Sequence, residues 1–337
     1  MNNNNKNKNV LPLSFCIPDE CIVDEIPEKT RLLASLIPGD TSTYLYYGKE
    51  KEYNEMYRTA RFAITKMKGG WDCLRHYEIL MNGCIPLFEN LVSCPKYTLT
   101  TYPKKWNEEA YQLYNNWTNS KEDLEKYNEL CGRYLNHTRM KCTTTATTKY
   151  FLDNMKDGYH AKNILLLTCH TGVNYNRESL WIGLKRYIKS IGGVAVEYEK
   201  MPFLYTDYTS DDKRYENLFA YNKRIEKDEY YYMSETEIVE KIKNHFWDII
   251  IYGKIGPDEY CEYPPHYELV KTRYNKDEIA FLFGGDEIFD MTITDPTKHH
   301  LNMFQRWIPY QPYIDSINRY KQEGVCFVRE LELELEL

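Results

Sequence analysis

Two short apolar runs, each closing on a turn that opens into an amphipathic helix, constrain this chain's fold more than any other feature. The first is Arg61-Phe-Ala-Ile-Thr65, followed by Gly69-Gly70. A helix is predicted next, from about Cys73 to Met81, with Asp72 as its cap and Asn82-Gly83 as its stop. Cys84-Ile-Pro-Leu-Phe88 then returns as another strand. A helical crossover carries the chain back to the edge it left, so such a unit implies a parallel sheet.

The second run is Lys162-Asn-Ile-Leu-Leu-Leu-Thr168, which reads as a strand buried on both faces. It passes through His170-Thr-Gly-Val-Asn174 into a helix predicted near Glu178–Ser190, and Gly192-Gly193 closes that helix before the strand Val194-Ala-Val-Glu-Tyr198. Further strands are predicted at Trp247–Tyr252 and Ile279–Phe283, the latter ending in Gly284-Gly285-Asp286. Strands alternating with helices at this spacing predict an α/β chain of doubly wound, Rossmann-like units. A chain of 337 residues accommodates two of them. The first is expected over residues 11–155 and the second over 160–331. An Asn/Lys-rich disordered tail is expected at 1–10, and a low-complexity Glu/Leu tail at 332–337. Within the first unit the pattern from Asn107 to about Asn154 is helical, with the threonine run Thr143–Thr148 as a candidate interruption.

Charge and cysteine usage narrow the function classes. A formal net charge of −7 argues against nucleic-acid binding, which needs a basic face. No stretch approaches the roughly 18 apolar residues of a membrane span, and residues 1–9 lack the apolar core of a signal peptide. The ten cysteines are scattered and include no CxxC pair or zinc-type spacing, which predicts buried free thiols in a reducing, cytoplasmic setting. The 32 tyrosines read as compositional bias rather than a site signal.

The chemistry-bearing stretch is Lys66 to Pro86. Gly69 and Gly70 permit close backbone approach, and the free N–H groups of the following helix favour an anion such as a diphosphate. Lys66, Lys68 and Arg75 add positive charge, Arg75 with a fork suited to phosphate oxygens. Glu78 follows Arg75 at i+3 on the same helical face, where a carboxylate can accept both ribose hydroxyls. The same spacing also suits an ordinary surface ion pair. In the second unit, His170 and Asp286 each follow a strand and are candidate general bases; each also fits an ordinary loop role. No His, Cys or carboxylate cluster has metal-ligand spacing, so no metal is expected.

The segment Phe62–Thr65, Gly69-Gly70, Arg75-His-Tyr-Glu78 and Gly83-Cys-Ile-Pro86 resembles the donor-site signature of GT-B glycosyltransferases, closest to the exostosin-like group. The likeness covers about 40 residues and reaches Cys94-Pro95. It implies that Glu78 holds the nucleotide's ribose while the turn and Arg75 face the diphosphate. It further implies transfer of a sugar from a nucleoside diphosphate, taken as UDP, to a glycan or other hydroxyl acceptor, without a cofactor. The order departs from the family, in which the donor-type unit comes second, so the chain reads as circularly permuted or as a piece of a longer array. A non-catalytic nucleotide-sugar-binding module is the alternative that the residues leave open.

Overall fold

The computed structural model describes residues 9–68, 70–156, 158–168, 172–209, 219–255, 264–284 and 311–331. Its strands form two sheets, parallel throughout. The smaller contains β2 (Arg31–Leu33), β3 (Ala60–Thr65) and β4 (Ile85–Phe88), in that order. The larger contains β1 (Val10–Pro12), β5 (Asn163–Leu167), β6 (Val194–Tyr198), β7 (Ile249–Ile255), β8 (Ile279–Phe283) and β9 (Val325–Val328). Its order is β1-β9-β8-β7-β5-β6. The expected mixed α/β, Rossmann-like architecture is therefore present.

The apolar runs lack alternation because both faces of the large sheet are covered. Ile164, Leu166, Ile249 and Ile251 enter one apolar cluster, while Leu165, Leu167, Ile250 and Tyr252 enter another on the opposite face. The first cluster is shared between the sheets, since it also takes in Phe62, Ile85 and Leu87 of the small one. Each large side chain fully buried in this way contributes about 1.5–3 kcal/mol.

Three expectations need correction. Val10 falls in the tail expected to be disordered and Leu11 and Pro12 in the first unit, yet Val10–Pro12 forms a strand that pairs with β9 in the large sheet. The helical stretch after Asn107 breaks at the threonine run as expected but also once before it, giving α3 (Asn107–Asn115), α4 (Lys121–Lys141) and α5 (Thr144–Asp153). Ser120 and Asp123 form a capping box that starts α4, and the Thr143 hydroxyl accepts the Ala146 N–H to start α5. These local bonds satisfy backbone donors that a continuous helix would have used, so the chain restarts twice. The helix between β3 and β4, α2 (Leu74–Met81), has Cys73 and not Asp72 at its cap position, without a side-chain cap bond. The Asp72 oxygens are engaged elsewhere.

The remaining helices are α1 (Glu50–Arg58), α6 (Tyr175–Ser190), α7 (Glu235–Lys243), α8 (Tyr267–Arg273) and α9 (Gln311–Tyr320). Asn174 caps α6 by accepting the Arg177 N–H, which places its start earlier than the periodicity predicts. No helix among the described residues is long and apolar enough to cross a membrane. The eight described cysteines are free thiols.

Helices α5 and α6 approach closely at Gly183, where an added Cβ would stand 2.2 Å from Thr148 Oγ1 and 2.5 Å from the Thr144 carbonyl. Helix propensity alone favours alanine over glycine by about 1 kcal/mol. The backbone carbonyl cannot retreat, so Gly183→Ala should instead destabilise by about 1–3 kcal/mol. Urea unfolding of the variant checks the sign.

Candidate functional site at the facing strand ends

In parallel sheets the carboxyl ends of the strands line one edge, where ligands gather. Here the edges of both sheets meet. The chain leaving β3 runs through Gly70, Trp71 and Asp72 into α2, and this turn touches Arg329 and Glu330 at the end of β9. The Asp72 N–H donates to Glu330 Oε1 at 2.5 Å. A Cβ built on Gly70 would lie 2.5 Å from that same oxygen, so only glycine admits the carboxylate. Arg329, buried, donates from Nη1 to the Asp72 carbonyl and from Nε to the Gly284 carbonyl, each at 2.5 Å. Its guanidinium carbon stands 4.6 Å from the centre of the Phe15 ring.

The Asp72 carboxylate accepts the Phe15 N–H at 2.7 Å and the Tyr77 hydroxyl at 2.8 Å. These bonds explain why it does not cap α2. Burial pushes its carboxyl up to about 7, with Arg329 opposing and Glu330 adding to the rise. The turn is fixed from behind by His76. Its Nε2 lies 2.8 Å from the Trp71 carbonyl, which can only accept, so Nε2 carries the hydrogen. Nδ1 then accepts from Thr65 Oγ1 at 2.8 Å. Burial lowers His76 to about 3, and it stays neutral.

Of the residues singled out in sequence, Lys66, Lys68, Gly70, Arg75 and Glu78 are brought to one end of the small sheet. Lys68 is exposed, and its N–H donates to the Gly70 carbonyl at 3.1 Å. Lys66 packs on Gly39. Glu78 is buried and accepts the Tyr53 hydroxyl at 2.6 Å. Burial raises its pKa, while the Tyr53 bond and Arg75 oppose that rise. Among the described residues the anticipated Arg75–Glu78 ion pair is not formed. Arg75 instead donates from Nη2 to the Tyr44 hydroxyl at 3.1 Å. Gly69, His170 and Asp286 lie outside the described residues.

A second polar cluster stands where β5 and β7 adjoin, the point at which the strand order reverses. Arg177, fully buried, donates to Thr168 Oγ1 at 2.9 Å and pairs with Glu178 at 2.9 Å. Gly253 leaves room for its stem, since a Cβ there would stand 2.7 Å from Arg177 Cδ. Sequence reasoning missed this pair and the Asp72–Arg329–Glu330 group. The signal available was only that Arg177 opens a helix and Arg329 ends a strand. Among the described residues no three His, Cys, Asp or Glu side chains are grouped to hold a metal ion. Comparison with protein-family models, curated proteins and solved structures finds no match to this chain.

The two buried groups beside the turn carry opposite pH signs. Asp72 titrates near 3.9 when unfolded, so between about pH 4 and pH 7 the folded chain keeps a proton that the unfolded chain has lost. Its contribution is present below about pH 4 and is lost as pH rises toward 7. His76, depressed from about 6.5, contributes above that value and loses its contribution as pH falls toward 3. Asp72→Asn removes only the first effect. The stability difference, variant minus wild type, should therefore shift in the variant's favour between about pH 4.5 and pH 7.5. Urea midpoints at the two pH values measure it, and a constant difference would mean Asp72 is ionised throughout.

Proposed function

We propose that this chain binds a nucleoside-diphosphate sugar at the turn between β3 and α2, and transfers the sugar to a hydroxyl acceptor held toward the large sheet. That is a GT-B type of glycosyl transfer with the donor unit first. One observation carries the reading: where the carboxyl edges of two parallel sheets meet, the backbone N–H of Asp72 already holds a carboxylate oxygen. A glycine turn at a helix start is suited to anions, and a diphosphate offers similar oxygens with more charge. Lys66, Lys68 and Arg75 supply countercharge. Glu78, buried with the Tyr53 hydroxyl on one carboxylate oxygen, is a ready acceptor for ribose hydroxyls. In the transfer the acceptor oxygen bonds to the anomeric carbon, the bond from that carbon to the diphosphate oxygen breaks, and the acceptor proton passes to a base. His170 and Asp286 are the bases proposed from sequence.

Calorimetric titration with UDP and with uridine tests the reading. Glu78→Gln should weaken both by roughly 10- to 150-fold, the worth of a charge-assisted hydrogen bond. Arg75→Ala should weaken UDP far more than uridine. Glu330→Ala, which removes the resident carboxylate from the Asp72 N–H, should bind UDP more tightly than wild type. Unchanged affinity in Glu78→Gln would sink the proposal.

A further inference from the structure

The loop after β2 is laid across the candidate donor site by three successive contacts. Gly39, with a positive φ of 93°, lies so close to Lys66 that a Cβ there would stand 3.0 Å from Nζ. Next, the Asp40 carboxylate accepts the Ser42 N–H and turns the chain. Tyr44 then accepts a hydrogen bond from Arg75, whose guanidinium carbon stands 5.7 Å from the centre of its ring. Finally the Tyr46 ring meets the Tyr53 ring edge-on at 5.9 Å, and Tyr53 donates to Glu78. The loop thus touches Lys66, Arg75 and, through Tyr53, Glu78.

Having been tied down so firmly, the loop leaves its apolar side chains in water. Tyr44 is 42% exposed, Leu45 68% and Tyr47 58%. The other large apolar residues exposed among the described residues, Val92, Met140, Tyr159, Ile191 and Tyr232, are scattered singly. A clustered exposed apolar surface at the rim of a charged site marks a contact for a ligand with an apolar face. A nucleotide with its diphosphate at the Gly70–Asp72 turn and its ribose at Glu78 carries one such part, the flat base.

Resting on the donor-site reading above, we infer that this loop is the base-binding wall of the site, with Tyr44 as the ring on which the base stacks. Arg75 covers part of Tyr44 and leaves the rest of the ring to the ligand. Stacking is tolerant of base identity, because every base has a π-face. The wall therefore accounts for affinity toward nucleotides as a class, and selection among bases falls to edge contacts.

Titrations of the full chain with UDP and with inorganic pyrophosphate, for wild type, Tyr44→Ala and Tyr44→Phe, test the inference. Loss of a stacking ring costs about tenfold in affinity or more. Tyr44→Ala should show that loss for UDP, Tyr44→Phe should stay near wild type, and pyrophosphate affinity should be unchanged in both. If Tyr44 serves only to position Arg75 through its hydroxyl, Tyr44→Phe will weaken UDP and pyrophosphate alike, and the inference is overturned. If Glu78→Gln weakens UDP while Tyr44→Ala does not, the base wall falls and the donor site stands. If wild type binds no UDP, both fall together.

Discussion

One residue, Asp72, ties together three distant parts of this chain. Its N–H holds Glu330, its carbonyl takes Arg329, and its carboxylate takes the Phe15 N–H and the Tyr77 hydroxyl. The turn after β3, the segment following β1, helix α2 and the end of β9 are therefore fixed by bonds to a single aspartate. Buried polar groups are costly unless paired, and here each pairing of Asp72 also locates an element. The position of the small sheet's edge against the large sheet's edge follows from it. So does the presence of a carboxylate at the mouth of α2.

The tyrosines look different once their hydroxyls are followed. Three buried carboxylates each receive a tyrosine: Tyr53 donates to Glu78, Tyr77 to Asp72, and Tyr205 to Glu197. A phenol brings a large apolar body and one donor, which suits an acidic side chain that must sit in a core. Burial and the neighbouring carboxylate raise the pKa of Tyr53 and of Tyr77, so both hydroxyls remain donors. The residue count read as compositional bias thus includes side chains that make buried acids tolerable.

How much of this could be read from the sequence depends on whether the cause is local. Strands β5, β6 and β8 are mainly apolar five-residue runs, with a glycine pair before β6 and another after β8, and their signals are complete within ten residues. The helix break at Thr143 is legible in its threonine run, whereas the break at Ser120, also locally encoded, is masked by helical periodicity on either side. Strand β1 is three residues long and exists because β9 offers it a partner, so no window around Val10 contains its cause. The same distinction divides the site. Gly70, Arg75 and Glu78 stand out through spacing, whereas the burial of Glu78 under Tyr53 and the diversion of Asp72 to Phe15 depend on contacts across the fold.

The pairing of β1 with β9 also bears on how the molecule is made. Val10 lies opposite Cys326, so this pairing joins two strands far apart in the sequence. Contacts between segments so distant in sequence form slowly, so this edge of the large sheet closes late in folding. Until β1 docks, β9 presents the fully apolar run Val325–Val328 as an open edge. An open apolar edge is a template for pairing with another chain. Val10–Pro12 therefore act as a seal on β9, keeping folding chains from pairing along that edge.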